Sequence, residues 1–170
     1  MAKAFEIKRY IASALWCLGT TYGILGGKDC VAFNHLLEAY QLFNALPPGD
    51  RDLQRLCCRC GNDLVVGARA TFKDINKAVS LARHVEKQSA TVSDDLVHAR
   101  SLTVLGLALV HSGLVLENPG HRQEALRHLE RAKLMAMVNV YVTQACCAIA
   151  IVHYHENRLP EALDAVEEAV

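Results

Sequence analysis

The chain predicts an all-α protein built as a stack of helical repeats. Three observations carry this. First, His121 to Ala132 (HRQEALRHLERA) returns near the end as Arg158 to Ala169 (RLPEALDAVEEA), with Glu124-Ala125-Leu126 repeated 37 residues later as Glu161-Ala162-Leu163. Self-similarity at such a period is the mark of a repeat array. Second, the frame Ala-x3-apolar-x2-Ala/Val occurs twice more, as Ala32, Leu36, Ala39 and as Ala78, Ala82, Val85. Steps of four then three keep all three residues on one helical face, where small side chains admit a close neighbour. Third, strand signals are scarce, and only 4 prolines and 10 glycines interrupt 170 residues rich in helix formers.

Composition bounds the function. A 52% hydrophobic and 21% charged chain can bury a core and is not disordered. A formal net charge of zero gives no general pull toward nucleic acid or an anionic membrane. The 7 cysteines are odd in number and partly vicinal (Cys57-Cys58, Cys146-Cys147). Vicinal pairs inside helical patterns make a poor disulfide framework, which predicts a reducing, cytoplasmic setting. The apolar run from Ile11 to Leu25 follows Lys3, Lys8 and Arg9, but Glu6 lies among those bases and no Ala-x-Ala-like cleavage site follows. The run reads as a helix, too short to span a bilayer.

Lys3 to about Leu25 is the first helix, carrying Leu15, Leu18, Gly19 and Tyr22, and Gly26-Gly27 ends it. Asp29 N-caps a second helix, about Cys30 to Leu46, and Pro47-Pro48-Gly49-Asp50 is a loop. The third helix, Arg51 to about Ala70, places Cys57, Cys60, Gly61 and Leu64 in the frame of the first. Asp74 precedes the fourth, about Ile75 to Gln88. Ser93, with Asp94 and Asp95 behind it, starts the fifth, which carries Leu102, Leu105, Gly106 and Leu109 and runs to about Ser112. Gly113 to Gly120 reads as an extended loop. The sixth helix is about His121 to Met137, and the seventh is about Tyr141 to Glu156, carrying Cys146, Ile149, Ala150 and His153. Pro160 suits the first turn of the eighth, which runs to Val170.

The helices thus pair as A and B. The small A-frame residue recurs as Gly19, Gly61, Gly106 and Ala150, in steps of 42, 45 and 44. One domain spans 1–170, with repeats at about 3–48, 51–90, 93–137 and 141–170. Together the frames resemble the tetratricopeptide repeat, whose helix A reads large-x2-Leu-Gly-x2-Tyr and helix B Ala-x3-Phe-x2-Ala. The long period is similar to the kinesin-light-chain-like variant, and the wording of the last two repeats resembles repeat arrays of fungal NACHT/STAND-type signalling proteins. The resemblance implies an α-α superhelix, a right-handed solenoid of about four helix pairs. It also implies a non-catalytic scaffold that binds a peptide or helix of a partner in its concave groove, as the sensing or docking part of a larger signalling protein.

By the same resemblance, the groove is lined by helix A residues flanking the buried frame. These are Ser13, Trp16, Thr20 and Gly23 in copy one, and Arg55, Cys58, Asn62 and Val65 in copy two. Copies three and four supply Arg100, Thr103, Leu107 and Val110, then Gln144, Cys147, Ile151 and Tyr154. Trp16 and Tyr154 are the aromatic contacts, with the alternative that Trp16 only packs. The family's carboxylate clamp is unmatched, since Cys58 stands where its lysine would be.

Other chemistry finds little support. Cys57-x-x-Cys60 has metal- or redox-like spacing, yet both occupy core positions and no second ligand pair follows. A metal- or redox-responsive protein using that cluster is one alternative function, and a purely structural spacer is another. The Gly23 to Lys28 run is one residue short of a phosphate loop, and Asp29 follows where a hydroxyl is needed. The 8 histidines form no catalytic or zinc motif, with His121, His128 and His155 expected on the surface, so no enzyme, cofactor or metal is predicted. The partner expected is protein or peptide, with no nucleic acid and no membrane. No polar cap follows Ala169, which predicts continuation of the array or self-association through the uncapped C-terminal repeat.

Overall fold

The computed structural model describes residues 2–26, 29–47, 49–71, 75–136 and 139–169, and among these the chain forms eight α-helices and no strand. They are α1 (Ala2–Leu25), α2 (Asp29–Asn44), α3 (Arg51–Thr71), α4 (Ile75–Ala90), α5 (Asp95–Val115), α6 (Pro119–Met135), α7 (Asn139–His155) and α8 (Leu159–Glu168). Expectations that fall on Gly27, Lys28, Pro48, Asp74, Met137 and Val170 lie outside the described residues. Two compact units divide the chain: Met1–Lys73, with α1 to α3, and Asp74–Val170, with α4 to α8.

In the first unit, α2 packs against both α1 and α3. It buries Ala32, Phe33, Leu36, Ala39, Tyr40 and Phe43, a stripe at three- and four-residue steps. Gly19 admits it. A Cβ on Gly19 would stand 2.6 Å from Leu36 Cγ, so the A-frame glycine and the B-frame leucine meet as a close contact. From α3, Cys60 Sγ lies 3.7 Å from the Leu36 carbonyl oxygen. Asp50 caps α3, its Oδ1 accepting from the backbone N–H of Asp52 (2.9 Å) and Leu53 (3.2 Å). One frame position departs from expectation: Leu18 is exposed rather than packed.

In the second unit, α5 packs against α4, α6 and α7, and most of its length is buried. Its sequence is apolar nearly all round, as a helix covered on several sides requires. Gly106 repeats the Gly19 arrangement, with a Cβ there falling 2.5 Å from Leu129 Cγ on α6. Ala125, Leu129 and Ala132 are all buried, as the opening self-match predicts. In α8 the frame shifts. Ala162 and Ala165 are buried while Val166 is exposed.

The boundaries around α5 correct the sequence reading. The N-cap is Asp94, whose Oδ1 accepts from Val97 N–H at 3.1 Å, and Ser93 sits before it at φ +50°. The extended loop expected over 113–120 shrinks to Leu116–Asn118. Gly113 stays helical within α5, and α6 lies close against it: a Cβ there would meet Arg122 Cγ at 2.7 Å. The helix ends with Glu117 at φ +49° and Asn118 N–H donating to the Gly113 carbonyl at 3.0 Å, a 6→1 closure. Asn118 then caps α6, accepting from His121 N–H at 3.2 Å, with Pro119 at the first helical position. The end of α7 repeats the closure, with Asn157 at φ +58° and Arg158 N–H on the His153 carbonyl at 2.9 Å.

Polar pairs join α4, α5 and α6. Arg83 forks onto Glu124, with Nη2–Oε2 at 2.7 Å and Nε–Oε1 at 3.2 Å. Glu86 Oε1 meets His98 Nε2 at 3.1 Å, and His128 Nε2 lies 3.8 Å from Glu124 Oε1. Burial holds the His128 imidazole below its ordinary value, opposed by Glu124 and Glu86 and aided by Arg127 and Arg131. Burial pushes the Glu124 carboxyl up, but the hydrogen bonds and charge of Arg83 outweigh it and hold it below the usual carboxylate value. The unfolded chain therefore binds a proton at His128 first, so stability rises with pH through that range. Thermal unfolding is expected to move to lower temperature as pH falls below the ordinary histidine value of 6.5, and again as Glu124 protonates below 4.5. His128→Gln should flatten the first decline and leave the second, as read by circular dichroism melts across that range.

Candidate functional site

Among the described residues each unit carries an apolar groove on its surface. In the first unit a groove of about 370 Å³ runs between α1, α2 and α3 over Gly19, Ala32, Leu36 and Gly67, with Thr20 and Gly23 on its wall. In the second, a groove of about 590 Å³ lies between α7 and α8. Cys147, Ile151 and Tyr154 form one wall, Leu159, Leu163 and Val166 the other, and Ala150 and Ala162 the floor. The small floor residues are the A- and B-frame positions of the repeat. They keep the helices close while the larger side chains stand out on either side.

The expected lining residues separate into three groups. Those of the last copy, Gln144, Cys147, Ile151 and Tyr154, are all exposed, and three of them converge in the α7–α8 groove. In the middle copies Cys58, Asn62 and Thr103 are 2%, 1% and 0% exposed, and Val65 and Val110 are buried too. Burial takes these side chains off the surface, leaving Arg55, Arg100 and Leu107 half-buried. Thr103 Oγ1 instead donates to the Ala99 carbonyl at 2.9 Å.

The third group comes from α1: Thr20 and Gly23 line the first groove, Ser13 is half-buried, and Trp16 is taken up by packing. It is half-buried and engaged on three sides: Nε1 donates to Asp63 Oδ2 at 2.7 Å, the ring meets Phe43 edge-on at 6.4 Å, and Arg59 lies over it at 5.7 Å. Its polar end and one face are thus already committed within the first unit.

Some contacts escaped the sequence reading. His121, expected on the surface, is half-buried because its Nδ1 lies 2.9 Å from Ser112 Oγ of α5. Arg122 of α6 also makes contacts that no spacing announces, with Nη1 donating to the Gly113 carbonyl at 3.0 Å and Nε 3.4 Å from Glu156 Oε1. It thereby links the end of α5 to the residue that follows α7. His153 is half-buried as its frame position predicts, and His155 is exposed, its ring edge-on to Tyr154 at 5.9 Å.

Cys57, Cys58 and Cys60 lie in the interior of α3. Burial pushes the Cys57 thiol up to about 12 and the Cys58 thiol up to about 11, and raises Cys60 further with help from Asp63 and Cys57. Among the described residues no group of three or more His, Cys, Asp or Glu is placed to hold a metal ion. Cys17, Cys30 and Cys147 are exposed. Alkylation under native conditions is expected to modify those three quickly and Cys57, Cys58, Cys60 and Cys146 only after denaturation, because burial keeps the reactive thiolate from forming. Peptide mapping by mass spectrometry reads the order.

No helix among the described residues is long and apolar enough to cross a membrane. No protein-family model matches the chain, and no curated protein matches it.

Proposed function

We propose that the protein is a non-catalytic, tetratricopeptide-like scaffold that takes an amphipathic helix or peptide of a protein partner into the α7–α8 groove. The observation that carries this is the coincidence of Cys147, Ile151 and Tyr154, placed on a binding face by the repeat frame, with an open apolar groove. Exposed large apolar side chains gathered in one place mark an interaction surface, whereas scattered ones do not. A helix offering apolar residues at i, i+3 or i+4 and i+7 would fill such a channel. The Gly19–Leu36 and Gly106–Leu129 contacts, one design used twice, support the repeat reading and the superhelical family resemblance with it.

The test uses a displayed library of amphipathic helical peptides. Enriched peptides should slow alkylation of Cys147 while leaving Cys17 and Cys30 unchanged, and Tyr154→Ala should weaken them about tenfold, the cost of roughly 1.4 kcal/mol. Failure to enrich any such peptide, or enrichment without protection of Cys147, overturns the reading.

A further inference from the structure

The helices α1 and α7 occupy the same place in the repeat, and aligning Gly19 with Ala150 matches them position by position. Tyr10 and Ile11 then stand opposite Tyr141 and Val142, Ala14 opposite Ala145, and Leu18 opposite Ile149. The burial of these positions is reversed between the two helices. Ala145, Ala148 and Ile149 are buried in α7, which packs against both α5 and α6. Their counterparts Ala14, Cys17 and Leu18 are exposed in α1, as are Ile7, Tyr10 and Ile11, the last three by 59%, 72% and 48%. These residues form a single stripe at helical spacing. Leu18 is two residues from Trp16, about 200° around the helix, so the stripe lies on the side of α1 away from the Asp63 contact on α3.

The receiving side shows the same reversal. In the α5–α6 pair, which has α7 packed on it, Leu129 is buried and Leu126 half-buried. Their counterparts on α8, Val166 and Leu163, are 48% and 64% exposed, and they line the α7–α8 groove. One chain thus carries both halves of an interface of the kind it makes internally where α7 packs on the α5–α6 pair: an exposed A-type helix face and an open A–B groove. Charge sets the pairing. Beside the α1 stripe Lys8 is exposed with Glu6 nearby and Arg9 pairs with Asp50 at 3.8 Å, whereas on α8 Asp164 and Glu167 are exposed acids, Glu161 pairing with Arg158 and Glu168 with Lys133. Two α8 faces brought together would repel, and α1 against α8 would attract.

We infer that the α7–α8 groove takes α1 of a second copy of this chain, joining molecules head to tail. This rests on the proposed role of the groove as a helix-docking site and names the helix. The contact is heterologous, so copies join into a ring where the rotation closes and into an open chain where it does not.

The experiment is light scattering on the full chain over a range of concentrations, with Ile11→Glu on the α1 stripe and Leu163→Glu in the groove. Both positions are exposed, and circular dichroism checks that each variant keeps the helicity of the parent. The average mass of the parent should rise with concentration above one chain, and each variant should stay at one. Mixing the two variants should restore pairs and nothing larger, because one intact head then meets one intact groove. A parent that remains a single chain at every concentration overturns the inference, as does a mixture that fails to pair. Loss of association with Leu163→Glu but not with Ile11→Glu also overturns it, since that result means groove against groove. If displayed peptides still protect Cys147 in a single-chain parent, the groove remains a docking site and only the second copy is excluded. If they do not, both readings fall.

Discussion

Leu129→Ala is expected to lower the unfolding free energy of the second unit by about 2–5 kcal/mol, the cost of removing a buried leucine and leaving a cavity. Leu129 is completely buried, and its side chain fills the notch that Gly106 leaves in α5. The reciprocal change should also destabilise. Gly106→Ala places a Cβ 2.5 Å from Leu129 Cγ, which forces the leucine out of position at a cost of about 1–3 kcal/mol. The helix propensity of alanine over glycine returns only about 1 kcal/mol of that. Because the two residues occupy one space, Gly106→Ala with Leu129→Ala should be less damaging than the sum of the single changes. Urea titrations followed by far-ultraviolet circular dichroism measure all three. Additivity would show that the notch and the leucine do not form one contact.

The Gly106–Leu129 contact also shows what a sequence can reveal. Both residues belong to frames that periodicity alone identifies, because a face that packs must recur every three or four positions. Gly19 with Leu36, and the burial of Ala32, Ala39, Ala78, Ala82, Ala125 and Ala132, follow from the same rule. Periodicity says which face is apolar but not whether a neighbour covers it. Leu18 and Leu105 have the same frame position, yet Leu18 is 46% exposed and Leu105 is buried, because α5 has more helices around it than α1. Gly113 misled for a related reason. Glycine breaks helices through its backbone freedom, but this one lies inside α5, where α6 comes so close that only a hydrogen fits beside Arg122.

The groove was legible in part. The frame placed Cys147, Ile151 and Tyr154 on one face, and α8 supplied the opposite wall from residues that had been read only as a repeat. The expected lining residues of α3 and α5 are mostly buried. Long-range polar contacts left no local mark. Arg83 and Glu124 are 41 residues apart and Trp16 and Asp63 are 47 apart, and no spacing rule links partners brought together only by packing.

Trp16 is the position where packing and binding are most easily confused, and its substitutions separate them. Trp16→Ala is expected to destabilise the first unit by about 3 kcal/mol, the low end of the range for a large aromatic because the ring is only half-buried. It removes the edge-on contact with Phe43, the Arg59 stacking and the hydrogen bond to Asp63 together. Trp16→Phe keeps an aromatic ring against Phe43 and loses the indole donor, so it should cost only about 1 kcal/mol. Asp63→Ala should shift the emission of Trp16 to longer wavelength, and because this is the 1 tryptophan in the chain that signal reports the first unit alone. Were Trp16 instead a partner anchor, Trp16→Phe would weaken helix binding while leaving the melting curve nearly unchanged. The indole N–H is already committed to a carboxylate 2.7 Å away, and a partner would have to break that bond to use it. The opposite result is therefore expected: a small loss of stability, unchanged protection of Cys147 by bound peptide, and a tryptophan that holds three helices in register while the exposed aromatic of the groove, Tyr154, meets the partner.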